Sequence, residues 1–380
     1  MKHIIGGNPP PPPPSAGAQV KSVTVDENSA GQRLDNFLMR ELKGVPKTHV
    51  YRIIRSGEVR LNKGRVSADS RIAAGDVIRV PPVRTSERVE QKLAAMAEQA
   101  GRAAPAKDFP LLFEDDHFLA VNKPAGVAVH GGSGVSFGVI EQLRMARPQA
   151  TFLELVHRLD RETSGILLVA KRRSALKILQ DQFRERETGK TYLALVAGAW
   201  PATKKVLDRS LQKYLLPDGE RRVRVVAKDH PDAMPSLSLV RVHSVTPAPW
   251  APQAPQQRVY SLLEVTIKTG RTHQIRVHLA AEGLGIAGDD KYGDFELNKA
   301  LAKEEGAAAL KRMFLHAWRF QCKHPATGKR VALQAELPAE LARFLLQAIP
   351  DVPDSSDIPG IPDIAQDAAA AAIFRDFTPL

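Results

Sequence analysis

The 380 residues suit two domains with tails, and 43% hydrophobic content supports a sizeable core, yet no run of about 18 apolar residues is present to cross a bilayer. A single cysteine, Cys322, excludes an intramolecular disulfide framework and makes a reducing, cytoplasmic setting the expectation. With 54 Lys and Arg against 42 Asp and Glu, the net charge of +12 points to a polyanionic partner without saying which.

The chain opens without the apolar stretch of a secretory signal, and Pro9 to Pro14 favour an extended polyproline helix, so residues 1–20 read as disordered. Residues 21–82 then read as a small basic domain. In it, Leu34, Phe37, Leu38 and Leu42 mark the apolar face of one helix. Pro46 starts a second, with Val50, Ile53 and Ile54 as its stripe and Gly57 as its left-handed stop. Strands are expected over Glu58 to Leu61 and Arg65 to Ser67, a hairpin around Asn62-Lys63-Gly64, and over Asp76 to Val80. Between residues 21 and 85, thirteen basic residues face seven acidic ones, a net of +6.

Residues 83–107 are polar and rich in Ala and Gln, and read as a linker with a helix at Val89 to Gln99. A larger domain, 108–348, follows. Strands are expected at Phe118 to Val121, Leu153 to Val156, Ile166 to Ala170, Tyr192 to Val196 and Leu262 to Ile267. Helices are expected at Ser174 to Arg184, capped by its serine, and at Thr272 to Ala281, capped by Thr272, which makes the domain a mixed α+β sheet unit. The tail, 349–380, holds six Asp against Arg375, a net of −5 that leaves +17 for the rest, and reads as a solvated appendage.

Two polar clusters lie between apolar runs. His157-Arg158-Leu159-Asp160-Arg161-Glu162-Thr163-Ser164-Gly165 fits an ordinary charged turn, or a carboxylate kept ionised among arginines for work as nucleophile or base. Lys268 to Arg276 fits ordinary helix entry, or an anion-binding helix N-terminus in which Arg271 meets a carboxylate or phosphate. Familiar sites fail. Thr188-Gly189-Lys190-Thr191 lacks the first glycine of a phosphate loop, which would fall at Arg184. The Asp of His157-Arg158-Leu159-Asp160 comes one residue too late for a kinase loop. His273 and His278, five apart, do not share a helix face, so no metal is expected. Gly131 to Gly134 is too unspecific for a nucleotide site, and Ser164 lacks the flanks of a nucleophile elbow.

Five segments match in order. Asn122-Lys123-Pro124-Ala125-Gly126-Val127, Val156 to Gly165, Lys190-Thr191-Tyr192, Gly270 to Arg276 and Leu315-His316-Ala317 together resemble the RluA-type pseudouridine synthases. Within that family the large-subunit rRNA enzymes look nearest, the RluC type before the RluD type. Residues 31 to 81 look like the S4-type RNA-binding domain that these enzymes carry, so the resemblance spans about Val20 to Ala348.

The resemblance implies a mainly antiparallel mixed-sheet catalytic domain behind a small α/β S4-like domain, converting uridines of 23S ribosomal RNA or its assembly intermediates to pseudouridine without a cofactor. It makes Asp160 the essential carboxylate, Arg271 the arginine paired with it, and Tyr192 the catalytic ring packed on the uracil, a candidate also for removing the proton from its C5. Arg158 would enter the RNA stack as the base flips out. His157, Arg161 and Thr163 would support the loop. Lys47, Arg52, Arg55, Arg60, Lys63 and Arg65 would contact phosphates. A monomer in the cytoplasm, with no membrane partner, is expected. Two other readings stay open on the residues alone: a non-catalytic RNA-binding protein of ribosome assembly, and a hydrolase using Asp160 or Ser164.

Overall fold

The structure, a computed structural model, describes residues 20–26, 29–42, 45–83, 108–131, 137–247 and 259–348. The proline run, the helix expected at Val89 to Gln99 and the acidic tail lie outside the described residues. The chain divides into two compact units between Ala103 and Ala104.

The first unit is a three-stranded antiparallel sheet with two helices. Strand β1 (Lys21–Thr24) pairs with β3 (Val77–Val80), which pairs with β2 (Arg60–Leu61). Helices α1 (Leu34–Glu41) and α2 (Lys47–Arg55) bury Leu34, Phe37, Leu38, Val50, Ile53 and Ile54 against Ile72, Ile78 and Val80. The helical spacing therefore selects the core, as the apolar stripe requires. Gly57, at φ 74°, ends α2, and its N–H reaches back to the carbonyl of Ile54. Asn62 and Lys63 both take positive φ, so the chain turns tightly after β2. Arg65 to Ser67, however, form no strand: only Gly64 bridges back to Leu61, and the chain then leaves the sheet.

The second unit is built on one mixed sheet of eleven strands. Its path runs β10 (Arg221–Val226), β9 (Val206–Leu215), β11 (Met234–Pro247), β12 (Val259–Ile267), β8 (Gly189–Ala197), β13 (Leu315–Lys323), β7 (Ser164–Ala170), β5 (Phe118–Lys123) and β4 (Leu111–Glu114). Strands β6 (Glu154–Leu155) and β14 (Arg330–Gln334) attach to β7 and β13. Every pairing is antiparallel except β13 with β7, where His316 meets Ser164 and Ala317 meets Gly165. That parallel join is close. A Cβ on Gly165, at φ 108°, would stand 2.2 Å from the Ala317 carbonyl oxygen.

Helices α3 (Val139–Ala146), α4 (Arg173–Arg184), α5 (Gln274–Ala281), α6 (Phe295–Lys303) and α7 (Ala339–Ala348) complete the unit. Two caps differ from expectation. Helix α4 begins at Arg173, so Ser174 lies inside its first turn, and the capping position, Arg172, makes no side-chain cap bond. Helix α5 begins at Gln274 behind His273, which is left-handed at φ 52°, while Thr272 stands one residue too early to cap it. Strand β7 is buried along its whole length, as a central strand covered on both faces should be. It carries the catalytic candidates at its N-terminal end.

Candidate active site

The loop between β6 and β7 brings Asp160 to a cavity of about 110 Å³ lined also by Arg158, Thr163, Tyr192, Arg271, His273 and Arg276. Three elements converge there: this loop, β8 through Tyr192, and the turn between β12 and α5. Asp160 is 20% exposed, enough to meet a ligand yet poorly solvated.

The loop is fixed from behind. His157 accepts the N–H of Leu168 at Nε2 and stacks on Phe183. Burial pushes its pKa down to about 4, so it stays neutral and keeps that lone pair. The Arg161 side chain donates to the Gly126 carbonyl, and the Gly126 N–H donates to the Arg161 carbonyl. Thr163 is buried, and its N–H closes the turn onto the Asp160 carbonyl.

Sequence reasoning missed Lys123 and Arg312. The Lys123 ammonium, wholly buried, donates to the carbonyls of Pro124, Val127 and Arg161 at 2.8, 2.8 and 3.0 Å. Arg312 donates to Ser164 Oγ at 2.8 Å and to the Glu162 carbonyl at 3.3 Å. Ser164 Oγ also meets His316 Nδ1 at 2.9 Å inside the core. Its hydroxyl is thereby committed, and a serine hydrolase loses its nucleophile.

The arginine facing Asp160 is Arg276. Its Nη1 lies 3.4 Å from Asp160 Oδ2, while its Nε and Nη2 bind both oxygens of Asp289 at 2.7 and 2.6 Å. Burial would lower the Arg276 pKa, but Asp289, Asp160 and Asp290 more than reverse this and hold it charged. Arg271, expected in this role, is exposed and donates from Nε to the Pro235 carbonyl at 3.2 Å. It lines the cavity without pairing with Asp160. The reason is the turn: Gln274 Oε1 accepts the Arg271 N–H, and the cap at His273 sends residue 276, not 271, into the cavity wall. A buried Arg among Ile275, Val277 and Leu279 was the available signal, since such a charge needs a carboxylate.

His273 approaches the same carboxylate oxygen as Arg276, with Nε2 3.8 Å from Asp160 Oδ2 and Nδ1 2.8 Å from the Tyr292 hydroxyl. Tyr192 is half-buried, and burial, helped by the Asp160 charge, raises its pKa above the ordinary phenol value. Its hydroxyl is therefore neutral at physiological pH. Arg158 lines the cavity and is exposed, the placement a residue needs to reach a ligand outside it.

In the first unit, Arg60 and Lys63 line a surface cleft with Ser22, Asn62, Val77 and Arg79. Lys47, Arg52, Arg55 and Arg65 are exposed and do not line that cleft; Arg52 lies 3.8 Å from Glu58. Among the described residues, no group of three His, Cys, Asp or Glu side chains is arranged to hold a metal, and no helix is long and apolar enough to cross a membrane.

Over most of its length the chain is similar to known proteins. Residues 117–281 match the family described as RNA pseudouridylate synthase, and residues 32–78 match the S4 domain. The chain is 47% identical over 326 residues to the ribosomal large subunit pseudouridine synthase C of Salmonella typhimurium, covering 86% of this chain and 96% of that protein. The protein of the same description from Escherichia coli K12 is 46% identical over the same share of each chain. Among solved structures, human RNA pseudouridylate synthase domain containing 1 aligns at a TM-score of 0.49 with 24% identity, over 62% of this chain and 86% of that one.

Proposed function

The chain belongs to the RNA pseudouridylate synthases, and from that membership we propose that it isomerises uridines of large-subunit ribosomal RNA to pseudouridine, with Asp160 as the essential carboxylate. The observation that carries this reading is the setting of Asp160: a poorly solvated carboxylate in a cavity, 3.4 Å from a buried arginine that a second carboxylate holds in place. An anion so placed meets developing positive charge at a sugar without waiting for solvent to reorganise.

The reaction needs the glycosidic C–N bond broken, the uracil turned, and a C–C bond formed at its C5 with loss of the C5 proton. Asp160 acts on the sugar, either by attacking the anomeric carbon or by taking a sugar proton, and both routes require it ionised. Arg276 fixes one of its oxygens. Tyr192 packs against the detached uracil; its raised pKa makes the phenol a poor base in the resting enzyme, so we give it the packing role. Arg158 takes the place of the flipped uridine in the RNA stack, offsetting an unstacking cost of a few kcal/mol. Arg271 remains at the cavity mouth, where an exposed guanidinium suits a phosphate.

The S4 domain supplies RNA affinity through Arg60 and Lys63, with Lys47, Arg52, Arg55 and Arg65 as further phosphate contacts. We place the activity in the cytoplasm, carried out by a monomer. The test is pseudouridine mapping of large-subunit rRNA from cells carrying Asp160→Asn. Loss of specific pseudouridines, restored by the unaltered gene, is the expected result; a complete set of modifications overturns the reading.

A further inference from the structure

Two hydrogen bonds lead from the edge strand β10 to His273, which stands 3.8 Å from the catalytic carboxylate. The Val223 N–H donates to the Tyr292 hydroxyl at 2.9 Å, and that hydroxyl meets His273 Nδ1 at 2.8 Å. A hydroxyl has one proton. With its oxygen already accepting from Val223, the arrangement that satisfies every group has Tyr292 donate to His273 Nδ1. His273 then carries its own proton on Nε2, the nitrogen 3.8 Å from Asp160 Oδ2. The opposite tautomer would aim a lone pair at a carboxylate. His273 also holds a left-handed backbone at φ 52°, a conformation that a non-glycine residue keeps only where its surroundings impose it.

We propose that His273 is a positioning residue for Asp160, its tautomer set by Tyr292, and that its Nε2–H closes onto Oδ2, the oxygen Arg276 also faces, when substrate fills the cavity. Catalytic hydrogen bonds are commonly long before ligand binds and shorten in the complex. Arg276 and His273 then hold one oxygen of Asp160 together, which leaves the other to act on the sugar. The groups around the imidazole are Asp160 from the β6–β7 loop, Arg276 from α5, and Asp289, Lys291 and Tyr292 from the segment after α5, with Arg222 of β10 over the Tyr292 ring. Burial holds the imidazole below its ordinary pKa, and Arg276 and Lys291 add to this while Asp160 and Asp289 oppose it. Protonation would turn a single hydrogen bond into a full ion pair and quench the carboxylate.

The inference rests on the pseudouridine synthase reading, and one experiment separates the two. Full-length protein is given unmodified large-subunit rRNA transcript in excess enzyme, and tritium released from the uracil C5 is followed across pH. His273→Gln reproduces both contacts through its amide, whereas His273→Met has similar bulk and bears the same backbone strain without a donor. Gln is expected within about threefold of the unaltered rate and Met lower by about tenfold or more, the worth of one hydrogen bond to a charged group. Tyr292→Phe frees Nδ1 to take a proton, so the acid limb of its rate profile moves to higher pH. Met as fast as Gln, or an unmoved acid limb in Tyr292→Phe with the rate lowered equally at every pH, overturns the inference. No tritium release by the unaltered protein overturns the functional reading instead.

Discussion

Asp289 grips Arg276 with both carboxylate oxygens, at 2.6 and 2.7 Å, and neither side chain is more than 4% exposed. Asp160 holds the same guanidinium through one contact of 3.4 Å. The tight pair fixes the arginine; the loose one leaves the reacting carboxylate free to adjust. Asp289→Asn leaves a buried guanidinium short of its partner, so urea unfolding should show a loss of about 3 kcal/mol or more. Arg276→Lys should fold better than Asp289→Asn yet turn over at least about tenfold slower, because an ammonium cannot bridge two carboxylates.

The Asp289 pair also sets an acid limit. Burial would raise the Asp289 pKa, but the Arg276 hydrogen bond and charge outweigh it, and the result lies below the ordinary 3.8. The folded pKa is thus lower than the unfolded one. Its contribution to stability is present in full above the unfolded value and disappears as pH falls through the folded one. Acid unfolding of Asp289→Asn should accordingly be flatter below pH 4 than that of the unaltered chain, as followed by circular dichroism.

Lys123 predicts a slope of the same sign at the alkaline side, in a different pH window. Burial, with Arg312 nearby, pushes its pKa from 10.5 down to about 7, against the pull of Glu162 and Asp160. The unfolded chain therefore binds more protons than the folded one between these values, and stability should rise as pH climbs from about 7 toward 10. Urea midpoints at a series of pH values check this. In Lys123→Met the rise should vanish, and the rate should drop because the Arg161 carbonyl beside Asp160 loses its anchor.

Gly165→Ala should not accumulate as folded protein. The added methyl would meet the Ala317 carbonyl oxygen at 2.2 Å, and the backbone there is at φ 108°. Both β7 and β13 are central, so neither strand is free to yield; a loss above about 4 kcal/mol is expected in thermal unfolding. A melting point within two or three degrees of normal contradicts the packing described.

For the S4 unit, replacing Arg60 and Lys63 by Gln should weaken rRNA binding and reduce the slope of log affinity against log salt by about 1.4 to 1.8 if each meets one phosphate. Filter binding at several salt concentrations measures it. Circular dichroism should be unchanged, because Lys63 is exposed and Arg60 only half-buried.

How far the sequence leads can be judged from particular elements. Helices α1 and α2 were legible because their apolar residues recur on one face, and β5, β7 and β12 because central strands are apolar runs. Strands β9 and β10 escaped notice. They extend to the sheet edge, where Lys213, Leu215, Arg221 and Arg224 are all exposed, so no clean alternation marks them. At the site, Asp160 stood out by its charged loop and by family resemblance. Arg276 did not, because its partners lie 116 residues before it and 13 after, and a helical period carries no information about either. His273 was weighed only as a metal ligand, since its neighbour Tyr292 adjoins it through tertiary folding alone.

The parallel join of β7 with β13 has a consequence for a chain still on the ribosome. Asp160 is synthesised early, but the strand that completes the floor beneath its loop begins at Leu315, and Arg312, which holds Ser164 and the Glu162 carbonyl, lies just before it. About 150 further residues must be translated before the loop can close on its support. A nascent chain that ends before Arg312 and β13 therefore lacks the support of the Asp160 loop, and chains truncated there are expected to be inactive.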